Sequence, residues 1–185
     1  RFGKKFKIGR LANFLSFLVN LAVFLFGFGR QDVIVAQTSP PLIAFLGAVH
    51  CRWKGGRLVQ WVMDLNPDEA IAAGWLNERS PSARFLRGAA KWTLDHCDGV
   101  VALDRFMKER LVQRYGLPEK KILVIPPWAH DTVLKPVEHA ENPFRKRQGL
   151  QGKFVVMYSG NHSPCHPLDT ALQAALLLRE DADIL

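Results

Sequence analysis

The chain has 185 residues, with 25 basic and 17 acidic side chains and a formal charge of +8. At 48% hydrophobic and 23% charged it is neither disordered nor fibrous, and at about 150 residues per domain it holds one domain and part of another. Three cysteines exclude a disulfide framework and leave an odd thiol, as in a reducing compartment. The sequence opens on Arg1 rather than Met and stops at Leu185 just past an expected helix, so it reads as an internal piece of a longer protein.

The basic excess is concentrated at the start. Arg1, Lys4, Lys5, Lys7 and Arg10 fall within ten residues that hold no acid, and residues 11–29 carry no charge at all. A basic start and an apolar run resemble a signal peptide, but the run is long for one and no Ala-x-Ala site follows. About 20 apolar residues can also span a bilayer. In the third reading, Asn13, Ser16 and Asn20 share one stripe of a helix over about 4–28. The rest of that helix is Leu and Phe, and it lies in the core or on an anionic membrane surface. Phe2 and Phe6 interleave with the basic cluster, yet the patch is short and carries no nucleic-acid-binding motif, so no nucleic acid is expected as a partner.

The remaining elements alternate. Residues 32–37 (DVIVAQ) form a short β-branched run that predicts a buried strand. Ser39 is placed to cap a helix with Pro40 and Pro41 in its first turn, ending at Gly55-Gly56. Residues 58–63 (LVQWVM) predict a second strand, and 64–77 a loop. Ser80-Pro81 opens a helix to about Cys97. Residues 99–103 (GVVAL) predict a third strand, and Asp104 caps a helix whose inward face is Met107, Leu111 and Tyr115 and which stops at Gly116. Residues 121–125 (KILVI) predict a fourth strand. Periodicity is then lost until 153–159 (KFVVMYS), a fifth expected strand, and a helix from 167 to about 179. Continuously apolar strands alternating with helices predict a parallel, Rossmann-like α/β sheet covered on both sides. The division reads as 1–136 for an incomplete first domain, 137–152 for a linker and 153–185 for the first strand–helix unit of a second.

In such folds ligands sit at the carboxyl ends of the strands. Gly160 allows a tight turn there, and the following helix N-terminus favours a phosphate, with His162 and His166 nearby; an ordinary strand-to-helix turn is the plainer reading. Asp64 directly follows a buried strand. It could orient or deprotonate a hydroxyl, or it could brace the turn before Pro67. Asp68 and Glu69 lie further along that loop. The pairs His50-Cys51, His96-Cys97 and Cys165-His166 lack metal-ligand spacing, so no metal and no cofactor is expected, and Cys51 and Cys97 read as small core residues.

Taken together, DVIVAQTSPP, LVQWVMDLNPD, HCDGVVALDRFMKERLVQRYGLPEKKILVIPPWAHD and KFVVMYSGNHSPCHPLDT make the chain resemble the family 4 glycosyltransferases. It is most similar to bacterial members of the colanic acid and O-antigen type. The resemblance implies a retaining enzyme of the GT-B fold, built from two Rossmann-like domains. It implies an amino-terminal acceptor domain whose basic, greasy helix lies on the inner, cytoplasmic face of the cell membrane, against an anionic surface. It implies a nucleotide-sugar donor and a lipid-linked saccharide acceptor, and sugar transfer in cell-surface polysaccharide synthesis. Asp64 matches the aspartate of the family's crevice motif and takes the catalytic role. Gly160 and Asn161, with His162, match the loop beside the donor diphosphate, and Thr38, Ser39, Asp68 and Glu69 fall on the acceptor side.

The chain also departs from the family pattern. Met63 stands where many relatives have a His, and no Arg or Lys occurs from Gly160 to Leu178. The opening glycine-rich loop of the first domain and the Glu-x7-Glu of the second are absent. These 185 residues are therefore not expected to turn over substrate unaided, and the rival reading is a non-catalytic remnant that binds membrane or a partner.

Overall fold

Strands of four, three or five residues, in strict chain order, carry the first of two units in this computed structural model. Residues 7–127, 133, 135–160, 162 and 167–185 are described, the side chains of 7, 8 and 10 excepted. The units are Arg1–Pro127 and Trp128–Leu185.

In the first unit, β1 (Val33–Gln37), β2 (Arg57–Trp61), β3 (Gly99–Ala102) and β4 (Ile122–Val124) pair side by side, all parallel. The helices between them are α2 (Ile43–Lys54), the short α3 (Asp68–Ala72), α4 (Pro81–His96) and α5 (Arg105–Tyr115). The α/β class and the parallel Rossmann-like sheet expected from the sequence are therefore present. Ile34, Ala36, Leu58, Gln60, Val62, Val100, Ala102 and Ile122 share the helix-facing parity, and Leu58, Val62, Val100 and Ala102 lie at the centre of the core with Leu111 and Tyr115. Each fully buried Leu contributes about 2 kcal/mol.

The opposite parity is not covered as the sequence reading expected. Val33, Val35 and Leu123 are exposed, and Val59, Trp61 and Val101 are half-buried. The sheet order runs in one direction, and right-handed crossovers then set every connecting helix on the same side.

Two glycines have a steric reason. At Gly47 an added Cβ would lie 3.1 Å from Leu58 Cδ1, so α2 comes close to the sheet there. At Gly56 the backbone has φ 107° and an added Cβ would meet the Gln31 carbonyl oxygen, which leaves room for hydrogen alone.

Capping follows the sequence in α4 and α5. Ser80 Oγ accepts from the Ala83 N–H at 3.1 Å, and Asp104 Oδ1 from the Met107 N–H at 2.7 Å. Gly116 ends α5 with φ 68°. Ser39 does not cap α2. The Ser39–Pro40 peptide is cis, the helix begins at Ile43, and Leu42 precedes it at φ 68°. The loop expected over 64–77 contains α3, whose first turn holds Asp68 and Glu69. Lys121 Nζ donates to the Leu94 and Asp95 carbonyls at 2.7 and 3.0 Å and so satisfies the carboxyl end of α4.

Before β1 runs α1 (Lys7–Gly27), the helix expected over about 4–28; residues 4–6 lie outside the described residues. It rests on α2 through Phe26, whose ring lies 5.9 Å from His50 and 5.5 Å from Trp53. Leu15, Phe17, Val19, Val23 and Phe24 remain exposed. Among the described residues no helix is long and apolar enough to cross a membrane.

In the second unit α6 (Pro143–Arg147) is capped by Asn142, and Arg145 Nη2 donates to the Leu150 and Lys153 carbonyls at 2.7 and 2.6 Å. A fifth strand over 153–159 is not formed. Phe154 makes a single parallel bridge with Ile184, beyond α7 (Asp169–Leu177), because the described chain offers no longer partner strand. Phe154, α7 and Ile184 nonetheless follow the chain order of one parallel crossover.

Candidate functional site at the carboxyl ends of the strands

The loops leaving β1 and β2 are joined by one side chain. Thr38 Oγ1 accepts from the backbone N–H of both Met63 and Asp64, each at 3.1 Å. The two amides follow the end of β2, where the ladder no longer supplies partners, and a β-branched hydroxyl one residue past β1 takes that place. The Asp64 backbone is thereby held, while its half-buried carboxylate has no hydrogen bond or ion pair among the described residues. Ser39 is exposed on the same loop.

Asp68 has a different setting. Its carboxylate is buried, with Arg114 Nε 2.7 Å from Oδ2, the Tyr115 hydroxyl donating to Oδ2 at 3.3 Å, and Arg87 Nε 4.0 Å from Oδ1. Glu78 reaches the same two guanidinium groups, at 3.1 Å to Arg87 and 3.8 Å to Arg114. The network ties α3 to α4 and α5, so this carboxylate is occupied with structure. Burial, with Asp68 alongside, pushes the Tyr115 phenol up to about 12. Glu69, one residue on, lines an open cleft with Asp104, Met107 and Arg110.

One polar side chain escaped the sequence reading. Gln60 stands on the helix-facing parity of β2 and lines a cavity with Thr38. Its signal is a lone carboxamide inside LVQWVM at a position where the register demands an apolar residue.

The donor-side residues lie in the second unit. Gly160 is described, with the Tyr158 hydroxyl 2.9 Å from where a Cβ would stand, and the His162 ring lies 5.6 Å from the Tyr158 ring. Asn161 and His166 lie outside the described residues. The structure therefore places Thr38 and Ser39 on the loop after β1, Asp64 on the loop after β2, Asp68 and Glu69 in the first turn of α3, all in the first unit, and Gly160 and His162 in the second. Among the described residues no cluster of three His, Cys, Asp or Glu side chains could hold a metal. Cys97 is buried, its Sγ 3.1 Å from the Leu94 carbonyl, and burial pushes its thiol up.

The family model of glycosyltransferase family 4 matches residues 3–132, from the basic cluster through all four strands. The chain is 25% identical over 152 residues to a probable glycosyltransferase, WbjE, of Pseudomonas aeruginosa. That alignment covers 82% of this chain and 38% of the relative, so the chain spans well under half of the relative's length. A parallel α/β unit and a family match over well above half of the residues lead to one conclusion: the chain belongs to glycosyltransferase family 4.

Proposed function

We propose that this chain is part of an enzyme that moves a sugar from a nucleotide-sugar donor to a lipid-linked saccharide. The product serves cell-surface polysaccharide synthesis, and the anomeric configuration is retained. The observation that carries the reading is Asp64, whose backbone Thr38 holds and whose carboxylate has no partner among the described residues. Asp64 orients the acceptor hydroxyl and takes up its proton as the glycosidic bond forms. Positive charge develops at the anomeric carbon and negative charge on the departing diphosphate. The loop of Gly160, Asn161 and His162, ahead of the N-terminus of α7, stabilises that leaving group without a metal. Holding donor and acceptor in a fixed mutual orientation supplies a further part of the rate enhancement. The exposed Leu and Phe of α1, in a sequence whose first ten residues hold five basic ones, fit a peripheral seat on the anionic inner face of the cell membrane.

The test is Asp64→Asn in the protein expressed from its own gene, assayed in membranes with radiolabelled nucleotide sugars for label entering the lipid fraction. A drop of about 10²-fold or more is expected. Unchanged transfer would remove Asp64 from catalysis, and absence of transfer in the unaltered protein would favour the binding remnant.

A further inference from the structure

Gln60 is 8% exposed, and its Oε1 has no hydrogen-bond partner. It sits between Ala36 and Val100 on the buried parity of the sheet. A cavity of about 150 Å³ opens beside it, between the ends of β1 and β2 and the helices α2 and α4. Phe45, Pro67 and Ala89 form apolar wall, and Thr38 is part of the lining. Thr93, also lining the cavity, already donates its hydroxyl to the Ala89 carbonyl at 2.7 Å. The orphaned atom in this lining is therefore Gln60 Oε1. Thr38 Oγ1 accepts twice and still holds a hydroxyl proton to give.

A cavity of this size takes a group of about six heavy atoms, since a comparable apolar cavity holds benzene. A pure hydrocarbon group would leave the Gln60 oxygen buried without a donor, which is unfavourable. A plain sugar hydroxyl would satisfy the oxygen and leave the apolar walls unfilled. An acetamido group meets both demands. Its N–H reaches Gln60, its carbonyl accepts from the Thr38 hydroxyl or the carboxamide N–H, and its methyl lies against Phe45 and Ala89.

We infer that this cavity receives the acetamido group of an N-acetylated amino sugar in the acceptor. The inference rests on the sugar-transfer reading and names the substrate class of the same loops, because Thr38 serves both the cavity and Asp64.

The experiment follows the Gln60 side-chain N–H₂ and the Ala89 methyl by NMR in the full chain. Methyl N-acetylglucosaminide, methyl glucoside and prenol are titrated in turn, against the unaltered chain and Gln60→Met. The Met side chain keeps the volume and removes the buried polar group, so the fold is retained. The expected result is that the acetamido glycoside alone moves both signals, and that Gln60→Met weakens its binding about tenfold. Equal response to both glycosides, response to prenol instead, no response to any of the three, or binding indifferent to Gln60→Met would each overturn the inference. The sugar-transfer reading is decided separately, by Asp64→Asn. Transfer that depends on Asp64 with no response at Gln60 sinks the inference alone. Acetamido binding in a protein that transfers no sugar sinks the reading and leaves the cavity's ligand standing.

Discussion

Thr38 anchors the Asp64 backbone: its hydroxyl oxygen accepts the Asp64 N–H at 3.1 Å, while the half-buried carboxylate has no partner among the described residues. Neighbouring Met63 is bound to the same oxygen, so one side chain sets the path of the loop out of β2. Thr38→Val removes both bonds at constant shape. It should cost about 1–2 kcal/mol of stability, seen in chemical unfolding. It should also lower kcat in sugar transfer by up to about 10²-fold, because the carboxylate is displaced. Thr38→Ser should recover most of both. Full activity in Thr38→Val would show that Asp64 needs no such anchor.

The network around Asp68 should be structural and strong. Asp68→Ala leaves Arg114 and Arg87 without their buried counter-charge and is expected to cost about 3 kcal/mol. Lys91→Ala, which breaks the exposed pair with Asp95, should change stability by about 0.5 kcal/mol or less. Urea unfolding of the two variants checks the contrast, and similar losses would refute it.

Tyr115 carries a pH signature. Its folded pKa of about 12 lies above the value of about 10 for a free phenol, so the neutral form is the one the fold favours. The stabilisation is fully present below pH ~10 and is lost as pH rises toward 12, because the unfolded chain ionises first. Stability measured across that window should fall, and Tyr115→Phe should flatten the decline. An identical decline in Tyr115→Phe would assign it to other groups.

The outward face of α1 should bind anionic lipid. Val23 is 71% and Phe24 64% exposed, on the helix that follows the basic cluster. The chain should sediment with phosphatidylglycerol vesicles, be released by carbonate, and lose affinity in Val23→Glu/Phe24→Glu. Sedimentation unaffected by the double substitution would exclude this face as the contact.

Local chemistry made much of the fold legible. Ser80 and Asp104 cap the helices their positions announce, and Gly116 ends α5 in the left-handed conformation, because each acts through backbone groups within a few residues. Ser39 shows where such reasoning stops. A Ser-Pro-Pro start looks like a cap, yet the helix begins only at Ile43 after a cis bond and a left-handed Leu42. The 153–159 stretch has strand-like residues, but a strand is completed by its partner, and Phe154 finds only Ile184.

By itself the sequence determined the alternation of strands and helices, the parallel class, the caps and the family, since these rest on periodicity, short-range hydrogen bonding and motif spacing. Tertiary structure alone decided what each polar side chain on the neighbouring loops does. Asp64 and Asp68 stand four residues apart and look alike in the sequence. One has no partner among the described residues and lies beside Thr38, and the other is buried against Arg114 and Tyr115, which come from 46 and 47 residues away along the chain. The sheet order likewise left one face exposed and gave Gln60 a cavity instead of a partner. A carboxylate's role is set by the charges and donors packed around it, and those neighbours are chosen by the fold.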